Sequence, residues 1–210
     1  MTSFRFREAR RRPSSGFTIA ELLVSSVVLG LLLAVTFSIY RMGAAAWQKS
    51  DAKSELLQIA QVVTAKVNRE VEGSTFRSLE VAGDGSGAAF LTARDENGVF
   101  QYDPVKLTPR WQQYVVLYFV PAQKTLYRRE VSVAGLPQQD AAMPINSLGA
   151  GALPTYFRLG QPIGRGMDEC RFSVGGDEQL ILELSASKLR YGSPTPEKQS
   201  IRVVTAFRNR

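Results

Sequence analysis

The sequence predicts an α+β fold: one long N-terminal helix, its first half able to cross a membrane, packed on a mostly antiparallel β-sheet domain. Three observations lead there. An uncharged apolar run, Leu22 to Tyr40, follows an arginine-rich stretch. Helical periodicity continues beyond that run, with no proline between Pro13 and Pro104. From Leu79 onward the apolar spacing drops from about 3.6 to 2, and turn residues separate short β-branched and aromatic segments.

The chain opens with Arg5, Arg7, Arg10, Arg11 and Arg12 against Glu8, so more than half of the formal charge of +7 sits in residues 1–16. A basic flank before an apolar run is a topogenic signal that stays on the cytoplasmic side. It weakens any reading of the basic balance as a nucleic-acid footprint. The rest is ordinary for a globular domain, with 44% hydrophobic and 21% charged residues overall.

Leu22 to Tyr40 makes roughly 28 Å of helix at ~1.5 Å per residue, close to the hydrocarbon thickness of a bilayer. Glu21 stands at its entrance. A carboxylate there is costly unless it has a partner, so it is a functional residue by default. If the chain is cut after Gly16, the new amine of Phe17 lies in the same layer. In a continuous helix Phe17 and Glu21 are i and i+4; they could also meet between offset neighbouring molecules. An ordinary secretory signal cleaved near Ala44-Ala45-Ala46, or an uncleaved signal anchor, leaves Glu21 unexplained.

Gly16-Phe17-Thr18-Ile19-Ala20-Glu21-Leu22-Leu23-Val24 resembles the class III signal of type IV prepilins and type II secretion pseudopilins. The resemblance implies that a prepilin peptidase cuts after Gly16 and methylates the amine of Phe17. It implies that Glu21 neutralises the N-terminus of an adjacent subunit during assembly. It also implies partners: other pilin-like subunits and an inner-membrane assembly platform, with the C-terminal domain in the periplasm or outside the cell. The parts would be a leader (1–16), a transmembrane and assembly half-helix (17–41), a soluble half-helix (42–73) and a β-rich domain (74–210).

Past the span, Leu56, Ile59, Val63 and Val67 recur at steps of three and four, predicting one buried helix face. Lys49, Lys53, Lys66 and Arg69 fall on the wetter side, with Lys66 and Glu70 as an i,i+4 pair. Gly73-Ser74 is a stop signal, giving one helix from Phe17 to Glu72. Gly30 is a candidate for close helix approach in the membrane. Gln113–Val120 and Lys124–Val133 predict a hairpin across Pro121-Ala122-Gln123. Cys170–Val174 and Gln179–Ser187 predict another across Gly175-Gly176, and Ser200–Phe207 a final strand. Ser78–Ala82, Ala88–Thr92 and Val99–Tyr102 are weaker strand candidates, with Asn97-Gly98 as a turn. Ala134 to Gly166 reads as a long surface loop with one short strand near Tyr156–Leu159.

Run-on helix followed by hairpins is similar to the J-type minor pseudopilins and to large minor pilins, as is the segment Leu126-Tyr127-Arg128-Arg129-Glu130-Val131. The chain is also larger than most major subunits. It lacks the helix-kinking proline that many major pilins carry near the position of Ser38.

Enzyme chemistry is poorly served. There is no histidine, so Ser-His-Asp and Cys-His systems have no base. The lone Cys170 excludes an intrachain disulfide and, on an alternating stretch, is expected to be a small buried hydrophobe. Ser187-Lys188 is the one remaining dyad, but neighbours on a strand point to opposite faces. No cofactor is expected. Gly83-Asp84-Gly85-Ser86-Gly87 and Asp95-Glu96-Asn97-Gly98 supply oxygens for a calcium ion, though neither has EF-hand spacing. DNA uptake would need Arg128, Arg129, Arg202, Arg208 and Arg210 as a basic patch with Trp111, Tyr114 and Tyr118 stacking on bases. A membrane-anchored binding module that never polymerises is the further alternative.

Overall fold

A computed structural model describes residues 16–95, 97–133, 136, 141–148, 151–189 and 195–207. The chain divides into two compact units at Trp47/Gln48. Helix α1 runs from Ile19 to Glu72. It starts two residues later than the sequence suggests, because Phe17 and Thr18 are not helical. It stops at Gly73, as expected.

In the second unit, α1 buries Ala52, Leu56, Ala60, Val63, Val67 and Val71. Steps of three and four place these on one stripe. Five strands form the first sheet in the order β1 (Glu80–Val81), β2 (Gly87–Thr92), β3 (Gln113–Val120), β4 (Thr125–Val131) and β5 (Gln161–Arg165). Three form the second, in the order β6 (Glu169–Gly175), β7 (Gln179–Lys188) and β8 (Glu197–Ala206). Every pairing is antiparallel. The fold is α+β, a helix packed on antiparallel sheets.

The first sheet is buried on both faces, and this explains why its central strands read as unbroken apolar runs. Phe90, Val115 and Leu117 share one core with Val63, Val67 and Val71 of the helix and with Cys170, Phe172 and Leu182 of the second sheet. The alternate residues Leu91, Tyr114, Val116 and Tyr118 form a second core with Trp111, Ile145 and Leu153. The second sheet has a wet outer face: along β8, Ile201, Val203 and Thr205 are better covered than Arg202, Val204 and Ala206. The turn between β1 and β2 shields the edge of β6, since the Phe172 N–H donates to the Gly85 carbonyl (2.8 Å). Gly85 is needed there, with φ of +73° and a would-be Cβ only 3.0 Å from the Phe172 oxygen.

Several expectations require correction. The region 134–166 is more than a surface loop: short 3₁₀ turns at Ile145–Leu148 and Leu153–Tyr156 insert Ile145 and Leu153 into the second core. Its strand is Gln161–Arg165, not Tyr156–Leu159. Val99–Tyr102 is no full strand; Phe100 and Tyr102 make isolated bridges to Arg94 and Pro109. The β6–β7 hairpin forms as expected, with Gly175 closing β6 and Asp177 and Glu178 in the left-handed region of the turn. Lys66 donates to the Ile163 carbonyl, while Glu70 holds Arg128 at 2.8 Å. The first hairpin, β3–β4, follows expectation, including its break at Pro121–Gln123.

Candidate functional site

The N-terminal segment is built around a reciprocal cap. Thr18 directs both its N–H and its hydroxyl to Glu21 Oε2 (3.1 Å each), and the Glu21 N–H donates to Thr18 Oγ1 (3.3 Å). Thr18-Ile19-Ala20-Glu21 is thus a capping box, which satisfies orphan N–H groups at the helix start. The carboxylate also sits where the helix dipole favours negative charge. Sequence reading missed the role of Thr18, although its spacing to Glu21 was the available signal. Phe17 lies outside the helix and is 81% exposed. In the uncut chain Glu21 meets Thr18, and Phe17 N is still a peptide nitrogen with no charge to offer it.

Gly16 is exposed, and a Cβ placed on it would have nothing within 4 Å. The same holds for Gly30. Neither glycine is required by packing within the chain.

From Leu22 to Tyr40 every residue is exposed, with the large apolar side chains 50–69% accessible on all sides. Two hydroxyls in this run are turned back on the helix: Ser26 Oγ donates to the Leu22 carbonyl and Thr36 Oγ1 to the Leu32 carbonyl, each at 2.8 Å. That arrangement satisfies these two donors within the helix, as an apolar surround requires. Among the described residues α1 is the one helix long and apolar enough to cross a membrane.

Residues 11–37 match the prokaryotic N-terminal methylation motif. The motif supports a type IV prepilin-like family, one of structural subunits, and indicates a pilin- or pseudopilin-type subunit. It implies processing by a prepilin peptidase and pilin-like fibre partners. The apolar helix fits the single-pass membrane anchor of such a protein. No curated protein and no solved structure matches the chain.

The remaining candidates are occupied otherwise. Asp84 Oδ1 accepts both the N–H and the hydroxyl of Ser86, and these bonds hold its carboxyl below the usual range. Asp95 accepts from Val99, Gln101 and Asn97, and the Val99 N–H does most to lower its pKa. Both carboxylates act as turn caps; Glu96 lies outside the described residues. Cys170 is buried, and desolvation pushes its thiol up to about 12, so it is inert. Lys188 pairs with Glu55 across to the helix rather than with Ser187.

The DNA-binding arrangement does not form among the described residues. Trp111, Tyr114 and Tyr118 are buried, so no base can stack on them. Arg128 holds Glu70 and Glu130, Arg129 donates to the Tyr156 carbonyl, and Arg202 faces Glu183. Arg208 and Arg210 lie outside the described residues.

One exposed apolar surface escaped the sequence reading. Residues 99–110 form a ribbon whose shape is fixed by Asp103: its carboxylate accepts from Val105 and Lys106, and its carbonyl from Leu107. Those N–H groups, Lys106 foremost, hold the Asp103 carboxyl below the usual range. The ribbon presents Tyr102, Val105 and Leu107 to solvent, Val105 at 89% exposure.

Proposed function

We propose that this chain is a minor subunit of a type II secretion pseudopilus or a type IV pilus. It enters the inner membrane with its leader in the cytoplasm, is trimmed after Gly16 and methylated at Phe17, and joins a fibre outside that membrane. The observation that carries this reading is the match to the methylation motif on a helix whose uncharged run buries nothing within the chain. Gly16 supports the cleavage role because the fold itself gives no reason for glycine there. Glu21 supports a registry role: it is the sole acid at the entrance of the span, and a charge buried in a fibre is tolerated only when paired.

In the single chain the capping box holds Glu21 until assembly. A neighbour's amino terminus then adds a cation to a carboxylate already fixed in direction. Residues 22–40 supply the helix-to-helix packing. The β-rich unit recognises adjacent subunits, and the preformed ribbon at 99–110 offers an apolar contact surface with little ordering left to do.

Two variants test the reading. Gly16→Leu leaves the precursor uncut, read by N-terminal sequencing of the membrane-extracted protein; normal trimming refutes the leader assignment. Glu21→Ala is still cut but loses most cross-linking to other pilin-like subunits, and assembly at the native level refutes the registry role. A single uncross-linked band for the native chain would favour a solitary anchored module instead.

A further inference from the structure

We propose that Tyr40 and Trp47 form an interfacial anchor, with Trp47 seated in the outer headgroup layer of the membrane. This rests on the membrane-anchor reading above and adds where the helix leaves the lipid. Tyr40, Gly43 and Trp47 are spaced i, i+3, i+7 on α1 and so lie along one face. Tyr40 is 69% and Trp47 76% exposed, and a Cβ on Gly43 would have nothing within 4 Å, so the face is open. A large aromatic side chain left in water on an ordered helix calls for an amphipathic surround. Indole and phenol have it at the bilayer surface, where the ring is covered and the N–H or O–H stays wet.

The occupant follows from length and charge. Leu22 to Tyr40 matches the hydrocarbon thickness, placing Tyr40 at its outer edge. Trp47 stands seven residues further, about 10 Å along the axis, against roughly 5–8 Å of headgroup layer on each side. Helical side chains lean toward the N-terminus, which carries the indole back into that layer. Arg41, the first cation after the span, stands between the two rings, where a long basic side chain reaches the lipid phosphate layer. Ala44-Ala45-Ala46 between the two rings carries no charge that would resist it. Two rings one behind the other along the axis resist sliding of the helix in either direction, so the depth of the chain in the membrane is set before any fibre forms.

The test uses the full chain reconstituted into phosphatidylethanolamine–phosphatidylglycerol vesicles. The chain has two tryptophans, Trp47 and the buried Trp111. Trp111→Phe isolates the first; Trp47→Phe isolates the second and serves if the other variant misfolds, because the native-minus-Trp47→Phe difference then reports Trp47. Lipids brominated near the glycerol should remove most Trp47 emission, those brominated at the chain end little, and aqueous iodide little. Full iodide quenching with no bromolipid effect, or strongest quenching from the bilayer centre, overturns the anchor. Vesicle flotation is read in parallel. A chain that fails to float refutes the membrane reading itself, whereas one that floats with Trp47 in water refutes only this inference.

Discussion

The two halves of α1 are one continuous helix with opposite surroundings. Between Ala52 and Val71 an apolar side chain is buried at every third or fourth position, and the partner is in the chain: the inner faces of both sheets. Between Leu22 and Tyr40 apolar side chains occupy nearly every position, and all are exposed. A stripe answers to a partner on one side. An apolar surface all round answers to a medium or to neighbours on all sides. The pattern thus records how many directions must be covered, and for the first half the cover comes from outside.

The comparison breaks most readily with paired truncations. Leu56→Ala, in the stripe, should cost about 2–5 kcal/mol, the usual range for a buried leucine. Leu29→Ala should leave unfolding of the β-rich unit unchanged. Denaturant titration of the full chain in detergent checks both, and equal losses would erase the distinction. A second variant sharpens the contact beneath the stripe. At Gly164 a Cβ would stand 2.2 Å from Val63 Cγ2, a β-branched side chain with little freedom on a helix. Gly164→Ala should therefore cost about 1–3 kcal/mol through overpacking, whereas Gly30→Ala, with open space around it, should cost far less. The smallest effect is in pH. With no histidine, stability of the β-rich unit should be flat between about pH 5 and 8. Cys170 has a raised folded-state pKa, so the unfolded thiol ionises first; its contribution is intact below about pH 8.5 and declines as pH rises toward 12. Cys170→Ala should remove the part of that limb between about pH 8.5 and 10 in melts at increasing pH. The loss at higher pH remains, and the buried Tyr114 hydroxyl, its pKa also raised by desolvation, contributes to it.

Legibility followed the number of buried faces and the locality of the signal. The end of α1 at Gly73, the β3–β4 hairpin and the burial of Cys170 were readable because each depends on a few neighbouring residues. Strand β5 was not. Gln161-Pro162-Ile163-Gly164-Arg165 has the composition of a loop, yet an edge strand accepts Pro162, and Gly164 lets the helix approach. Ile145 and Leu153 looked like stray apolar residues in a loop because their partners, Tyr114 and Val116, lie far away in sequence. At the motif, spacing singles out Gly16, Phe17 and Glu21 as candidates; the hydrogen bonds joining Thr18 to Glu21 belong to local geometry that spacing only permits.

The polar contacts between α1 and the two sheets also have a mechanical meaning. Glu55 to Lys188, Lys66 to the Ile163 carbonyl, Asn68 to Thr205 and Glu70 to Arg128 all join the helix to strands within a few turns. Greasy surfaces hold two bodies together but let them slip, while directional bonds lose their geometry after a small displacement. Pulled along its axis, this helix would transmit load to both sheets at once, as a bolted rod does and a lubricated one does not.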